Sequence, residues 1–136
     1  MIINVNTPHT NAKGLKREVV ENLIFDTMLE LGIPLNLKGF SYLCDAICIT
    51  CYDPMAGAKI VDGLYTLVAK ENDTTVQCVE HAIRTALKRV DNLRDRSALK
   101  KYFSMADCPP PKRFINTLAD YVRRKADENA NRTALE

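Results

Sequence analysis

Apolar residues recur at spacings of three and four along almost the whole chain, and strict alternation of apolar and polar residues is rare. That period places apolar side chains on one face of a helix, so the chain is read as all-α. Leu15 to Leu31 carries Val19, Val20, Leu23, Ile24 and Met28 at helical spacing, then Gly32 and Pro34 stop it. Lys38 to Tyr52 follows and ends at Asp53-Pro54. Met55 to Lys59 has room for a turn or two. Asp62 or Gly63 opens a segment to Glu71 with Leu64, Leu67 and Val68 inward. Thr75 to about Leu93 comes next, then Arg94 to Phe103, then Lys112 to about Glu128 after the rigid Cys108-Pro109-Pro110-Pro111 connection. The expectation is a compact six-helix domain over residues 1–136, with 1–13 as an irregular lead-in and 129–136 as a frayed tail.

One domain is what 136 residues support, and an apolar fraction of 46% is enough for one core. The formal net charge of +2 implies nothing about partners, but its distribution does. Residues 1–72 carry 6 Lys/Arg against 8 Asp/Glu, and residues 73–136 carry 13 against 9. The positive excess sits in the second half, a mild footprint for a polyanion. The start of the chain lacks the basic and apolar regions of a secretory signal, and no apolar run is long enough for a membrane span. Five cysteines, an odd count, fit reduced thiols. A soluble cytoplasmic protein is therefore expected, with no membrane partner and no small-molecule substrate.

The polar turn Asn72-Asp73-Thr74 joins two helical segments, which is the helix-turn-helix arrangement. Thr74 is the expected N-cap, and Gln77 three residues on would complete a capping box. Residues 75–90 form the expected recognition helix. Val79, Ile83, Ala86, Leu87 and Val90 mark its buried side, and Gln77, Glu80, His81, Arg84, Thr85 and Lys88 mark the other. These tips suit base edges: Arg reads guanine, Gln reads adenine, Glu reads cytosine. Thr74 and Thr75 at the helix start, with Lys112 and Arg113 further on, are the expected phosphate contacts. Pattern alone favours a solvated helix face over a base-reading one, and Lys100-Lys101 and Arg123-Arg124-Lys125 read most simply as such faces.

Two rival chemistries start from the thiols. Cys44-x-x-x-Cys48-x-x-Cys51 has the spacing radical S-adenosylmethionine enzymes use for a [4Fe–4S] cluster. That motif belongs on a loop of a large α/β barrel, which 136 residues cannot supply. At i, i+4 and i+7 the same residues make one helix stripe, where cysteine acts as a small hydrophobe. A zinc site lacks a second ligand pair near His9 or His81. Cys78 and His81 could meet as nucleophile and base, but nothing in the sequence orients the histidine. No enzyme activity, metal or cofactor is implied.

Leu31-Gly32-Ile33-Pro34, Lys38-Gly39-Phe40-Ser41-Tyr42-Leu43 and Ala46-Ile47 resemble the opening of the effector domain of the stage-zero sporulation response regulator family. The resemblance continues through Leu64-Tyr65, Val68-Ala69-Lys70, Asn72, Thr74-Thr75, Val79-Glu80, Ala82-Ile83-Arg84, Phe114-Ile115 and Ala119-Asp120, over about residues 15–128. It implies a six-helix transcription regulator that binds short repeated sites in double-stranded DNA, paired head to tail on tandem sites. It also implies that Glu80 and Arg84 read bases. His81 stands where the family has Arg, Thr85 where it has His, and Gln77-Cys78 where it has Ser-Arg, so site preference or affinity should differ. Family members carry an N-terminal receiver domain that residues 1–14 cannot hold, which leaves an excised effector domain or a stand-alone protein. The alternative is a non-DNA-binding helical interaction module that modulates a related full-length regulator.

Overall fold

The computed structural model describes residues 16–135, so the lead-in expected at 1–13 lies outside the described residues. Six α-helices follow one another: α1 (Arg17–Glu30), α2 (Lys38–Tyr52), α3 (Tyr65–Glu71), α4 (Val76–Asp91), α5 (Ser97–Phe103) and α6 (Pro111–Leu135). A 3₁₀ turn at Pro54–Ala58 and a π turn at Ile60–Leu64 connect α2 to α3. There is no strand among these elements, and the all-α expectation holds. No helix among the described residues is long and apolar enough to cross a membrane.

The centre of the domain is α2. Every residue from Tyr42 to Cys51 is buried, on all sides of the helix. A helix apolar all round can exist in water only when other elements cover it, and here α1, α3, α4 and α6 do so. Phe40, Leu43 and Ile47 of α2 share one core with Ile24 and Met28 of α1, Ile83 of α4 and Phe114 and Leu118 of α6. Cys44, Cys48 and Cys51 belong to that core at 1% exposure each. Burial holds all three thiols protonated, with pKa values pushed up to about 12. They act here as small hydrophobes rather than as thiolate ligands.

One glycine decides how closely α4 approaches α2. A Cβ on Gly39 would lie 2.2 Å from the Ala82 carbonyl oxygen and 2.8 Å from the Ala86 Cβ. The two helices therefore cross backbone to backbone, with Gly39, Ala82 and Ala86 as the small residues at the contact. At the end of α1 the chain needs a left-handed residue, and Gly32 supplies it at φ 82°. The Ile33 N–H donates to the Met28 carbonyl and the Gly32 N–H to the Leu29 carbonyl, the paired bonds of a Schellman turn.

Two details depart from the sequence reading. Leu67, expected inward, is 46% exposed, and Tyr65 takes the buried place at 1%. The buried arc of this segment runs through Leu64, Tyr65, Val68 and Ala69, and Leu67 falls just beyond its edge. The last helix continues to Leu135, past the frayed tail expected from residue 129. Arg124 pairs with Asp120 and Lys125 with Glu128 along the exposed side of α6, the kind of spacing that supports a solvated helix.

Gly39→Ala should destabilise the domain by about 1–3 kcal/mol or more, because a fixed carbonyl occupies the space the methyl needs. Gly63→Ala, whose Cβ would meet only Lys59 Cβ at 3.6 Å, should stay within about 0.5 kcal/mol. Denaturant midpoints of the two variants check the contrast, and equal losses would refute it.

Candidate nucleic-acid interface

The turn between α3 and α4 is built from backbone hydrogen bonds. The Thr74 N–H donates to the Ala69 carbonyl at 2.9 Å and the Asp73 N–H to the Lys70 carbonyl at 3.3 Å. These again form a Schellman turn, with Asp73 as its left-handed residue at φ 51°. Aspartate tolerates that region better than most side chains, so the turn does without glycine. The next residues run straight into α4.

The cap of α4 is Thr75, not Thr74. The Thr75 hydroxyl accepts from the Cys78 N–H at 3.1 Å. The expected capping box with Gln77 is therefore absent, since the residue three positions beyond the cap is Cys78. Thr74 is spent closing the turn through its N–H and is only partly exposed.

At about 100° per residue, the six expected base-reading side chains fall within an arc of about 140° on α4. Val79, Ile83, Ala86, Leu87 and Val90 occupy the opposite side and are buried. Gln77, His81, Arg84, Thr85 and Lys88 are exposed, and Glu80 is half-buried at the edge of the arc. From Gln77 to Lys88 the face is about 16 Å long, at 1.5 Å per residue. A convex ridge of that length and width can enter a major groove about 12 Å wide.

Two of these groups hold each other. Arg84 Nη2 lies 2.9 Å from Glu80 Oε1, with the arginine 70% and the glutamate 39% exposed. Such an exposed i, i+4 pair contributes about 0.3–0.5 kcal/mol, little enough for a base to displace it. Tyr65 of α3 has its hydroxyl buried and without a hydrogen-bond partner. Burial pushes that hydroxyl's pKa up to about 12, the Glu80 charge adding to the effect and Arg84 opposing it. A buried hydroxyl left unpaired costs about 1–3 kcal/mol.

The start of α6 adjoins the far end of this ridge. Arg84, Lys88 and Asp91 line a groove of about 180 Å³ together with Cys108 and Pro109 to Pro111. Lys112 and Arg113, both exposed, follow immediately in the first turn of α6. The structure thus brings the start of α6 beside the C-terminal half of α4. Thr74 and Thr75 lie at the opposite end of α4.

Residues 24–122 match the family described as Sporulation initiation factor Spo0A C terminal. The chain belongs to that family. The matched span runs from α1 into α6 and contains the whole helix-turn-helix. The family is one of DNA-binding effector domains in sporulation, not of enzymes.

Within this family member, two of the charged runs seen in the sequence have structural duties. Arg123 donates to the Thr50 carbonyl at 3.0 Å near the end of α2 and lies near Asp120. Lys101 pairs with Glu30, which also accepts from the Tyr102 hydroxyl, and so ties α5 to the end of α1. Cys78 is exposed, and hydrogen bonds with Thr75 and Thr74 lower its thiol pKa. His81 lies about one helical turn further along the exposed side of α4.

The sequence reading missed the anchor of the turn. Asp45 of α2 is fully buried, and its Oδ2 accepts from the Asn72 amide at 2.9 Å. The same amide donates to the Val68 carbonyl at 2.8 Å, so Asn72 fastens the end of α3 to α2. Asp45 Oδ1 has no partner. Burial raises the Asp45 carboxyl to about 6 against the pull of the Asn72 hydrogen bond, Glu71 raising it further and Arg17 lowering it. A single aspartate inside Tyr42-Leu43-Cys44-Asp45-Ala46-Ile47 was the signal available in the sequence.

Because the folded carboxyl is raised above its unfolded value of about 3.9, its stabilising effect is fully present below pH 4. It is lost as pH rises through about 6. Between those values wild type should lose about 1.4 kcal/mol per pH unit relative to Asp45→Asn, and the difference should level off above pH 7. Denaturant titrations of both proteins across pH 4–7.5 test this. A constant offset between them would show that Asp45 titrates normally.

Proposed function

We propose that this chain is a sequence-specific transcription regulator of double-stranded DNA, with α4 lying in the major groove. The observation that carries the proposal is the α4 ridge. Its apolar side is fully engaged with the core, and six hydrogen-bonding side chains stand on the side facing solvent, directly after a helix-turn-helix. Glu80, His81 and Arg84 face base edges at its centre, and Gln77, Thr85 and Lys88 assist. Thr75, Thr74 and the first N–H groups of α4 take one phosphate, and Lys112 with Arg113 clamp another beyond Lys88. The proposal includes self-association as a head-to-tail dimer on tandem sites, and no cofactor takes part.

His81 in place of a guanidinium shortens the reach at the middle of the ridge and offers an imidazole instead of a bidentate fork. Thr85 likewise exchanges a ring for a short hydroxyl with a methyl, a shape suited to a thymine methyl group. The preferred site should therefore differ from that of family members with Arg and His at these positions.

Selection from a random-sequence duplex pool, followed by titration at two salt concentrations, tests the proposal. A selected sequence should emerge, and its affinity should fall steeply with salt. Arg84→Ala should relax preference at one base pair, worth about 1–3 kcal/mol of discrimination. Lys88→Ala should weaken all sequences alike and reduce the salt slope by about one. No binding to the pool at low salt would overturn the proposal and leave the interaction-module reading.

A further inference from the structure

A clasp of hydrogen bonds ties the end of α4 to the connection between α5 and α6. Arg84, Lys88 and Asp91 stand at i, i+4 and i+7, one stripe along α4. They share a groove of about 180 Å³ with Cys108 and the three prolines that lead into α6. Asp91, the last residue of α4, joins the two segments that line it: its Oδ1 accepts from the Cys108 N–H at 3.1 Å. Arg96 completes the clasp. Its guanidinium donates to the Asp91 carboxylate at 3.3 Å, to the Asp91 carbonyl at 2.6 Å and to the Ala106 carbonyl at 3.2 Å.

Asp91 is a carboxylate on an otherwise cationic stripe. The Cys108 N–H and Arg96 hold its carboxyl below the usual carboxylate range, so it stays charged. Beside a phosphate such a charge is repelled, so its place here is explained by what it holds. It holds the run that leads to Lys112 and Arg113. Pro109 to Pro111 fix their φ angles, so restraint at Cys108 is passed along a stiff segment to the first turn of α6. We infer that Asp91 and Arg96 are positioning residues for phosphate binding. They hold the Cys108–Pro111 run against the end of α4 and set Lys112 and Arg113 at a fixed offset from Arg84 and Lys88. Both pairs of cations then meet one duplex without first having to be ordered. The inference rests on the proposal that α4 reads DNA while Lys112 and Arg113 take a phosphate.

Salt titrations on the duplex selected by wild type test this with Asp91→Ala, Asp91→Asn and Arg96→Ala, each alone and in a Lys112→Ala/Arg113→Ala background. If charge alone mattered, removing an acid near DNA would strengthen binding. Asp91→Ala should instead bind about tenfold more weakly at about 0.15 M salt, with a salt slope smaller by about one to two, as for one or two lost phosphate contacts. Arg96→Ala should lose likewise. Asp91→Asn keeps an acceptor for the Cys108 N–H and should bind at least as tightly as wild type. Discrimination at the base pair read by Arg84 should be unchanged in all three. In the Lys112→Ala/Arg113→Ala background, Asp91→Ala and Arg96→Ala should add no further loss. Binding by Asp91→Ala as tight as wild type or tighter would overturn the inference while leaving DNA reading intact. So would an equal loss in Asp91→Asn, or a loss that persists undiminished without Lys112 and Arg113. An affinity loss with an unchanged salt slope, which a merely destabilised fold would give, would overturn it too. If wild type selects no sequence, the inference falls together with the reading of α4.

Discussion

The closeness of α2 and α4 at Gly39 organises the domain. With no side chain at that position, the Ala82 carbonyl comes within the space a Cβ would fill. Ala82 and Ala86 complete a contact made of small residues, so α4 lies against the backbone of the most buried helix at this point. A helix supported in this way is held rigidly in position and rotation. Its outward arc is then a fixed surface, which is what a base-reading element needs.

Polar anchors finish what that contact begins. Asp45 reaches from within α2 to Asn72, and Asn72 holds the last turn of α3. Burying a carboxylate with one oxygen unpaired is costly, and evolution of a more stable core would replace it with an apolar residue. Its presence is explained by what it holds. The orientation of α3 relative to α2 fixes the turn through Asp73, and the turn delivers Thr75 as the cap of α4. One buried carboxylate thus supports the start of α4.

At the surface the balance of energies is reversed. The Glu80–Arg84 pair is exposed and weak, and the cations at the start of α6 are solvated. Strong internal pairing of these groups would have to be broken before they could meet DNA. The domain is therefore stiff beneath α4 and loosely committed on its outer face, whereas Arg123, which donates to the Thr50 carbonyl, lies on another helix.

Much of this was legible in the sequence because helices advertise themselves locally. The apolar period located six helices, Lys38–Tyr52 with both its ends, and the run Val79, Ile83, Ala86, Leu87 and Val90 assigned the faces of α4 correctly. These features depend on residues three or four apart, which the chain order already contains. The cap moved by one residue, from Thr74 to Thr75, because the turn through left-handed Asp73 takes up Thr74, whose N–H closes it on the Ala69 carbonyl. Leu67 is exposed because the buried arc of this segment runs through Leu64, Tyr65, Val68 and Ala69, which places Leu67 just beyond its edge. The Asp45–Asn72 bond, the crossing at Gly39 and the groove joining Arg84 and Lys88 to Pro111 join residues 23 or more positions apart. The sequence by itself determined which side chains α4 offers. Only tertiary packing decided how that helix is held and what stands beneath and beside it, since contacts between distant residues follow from the way helices stack and not from any local period.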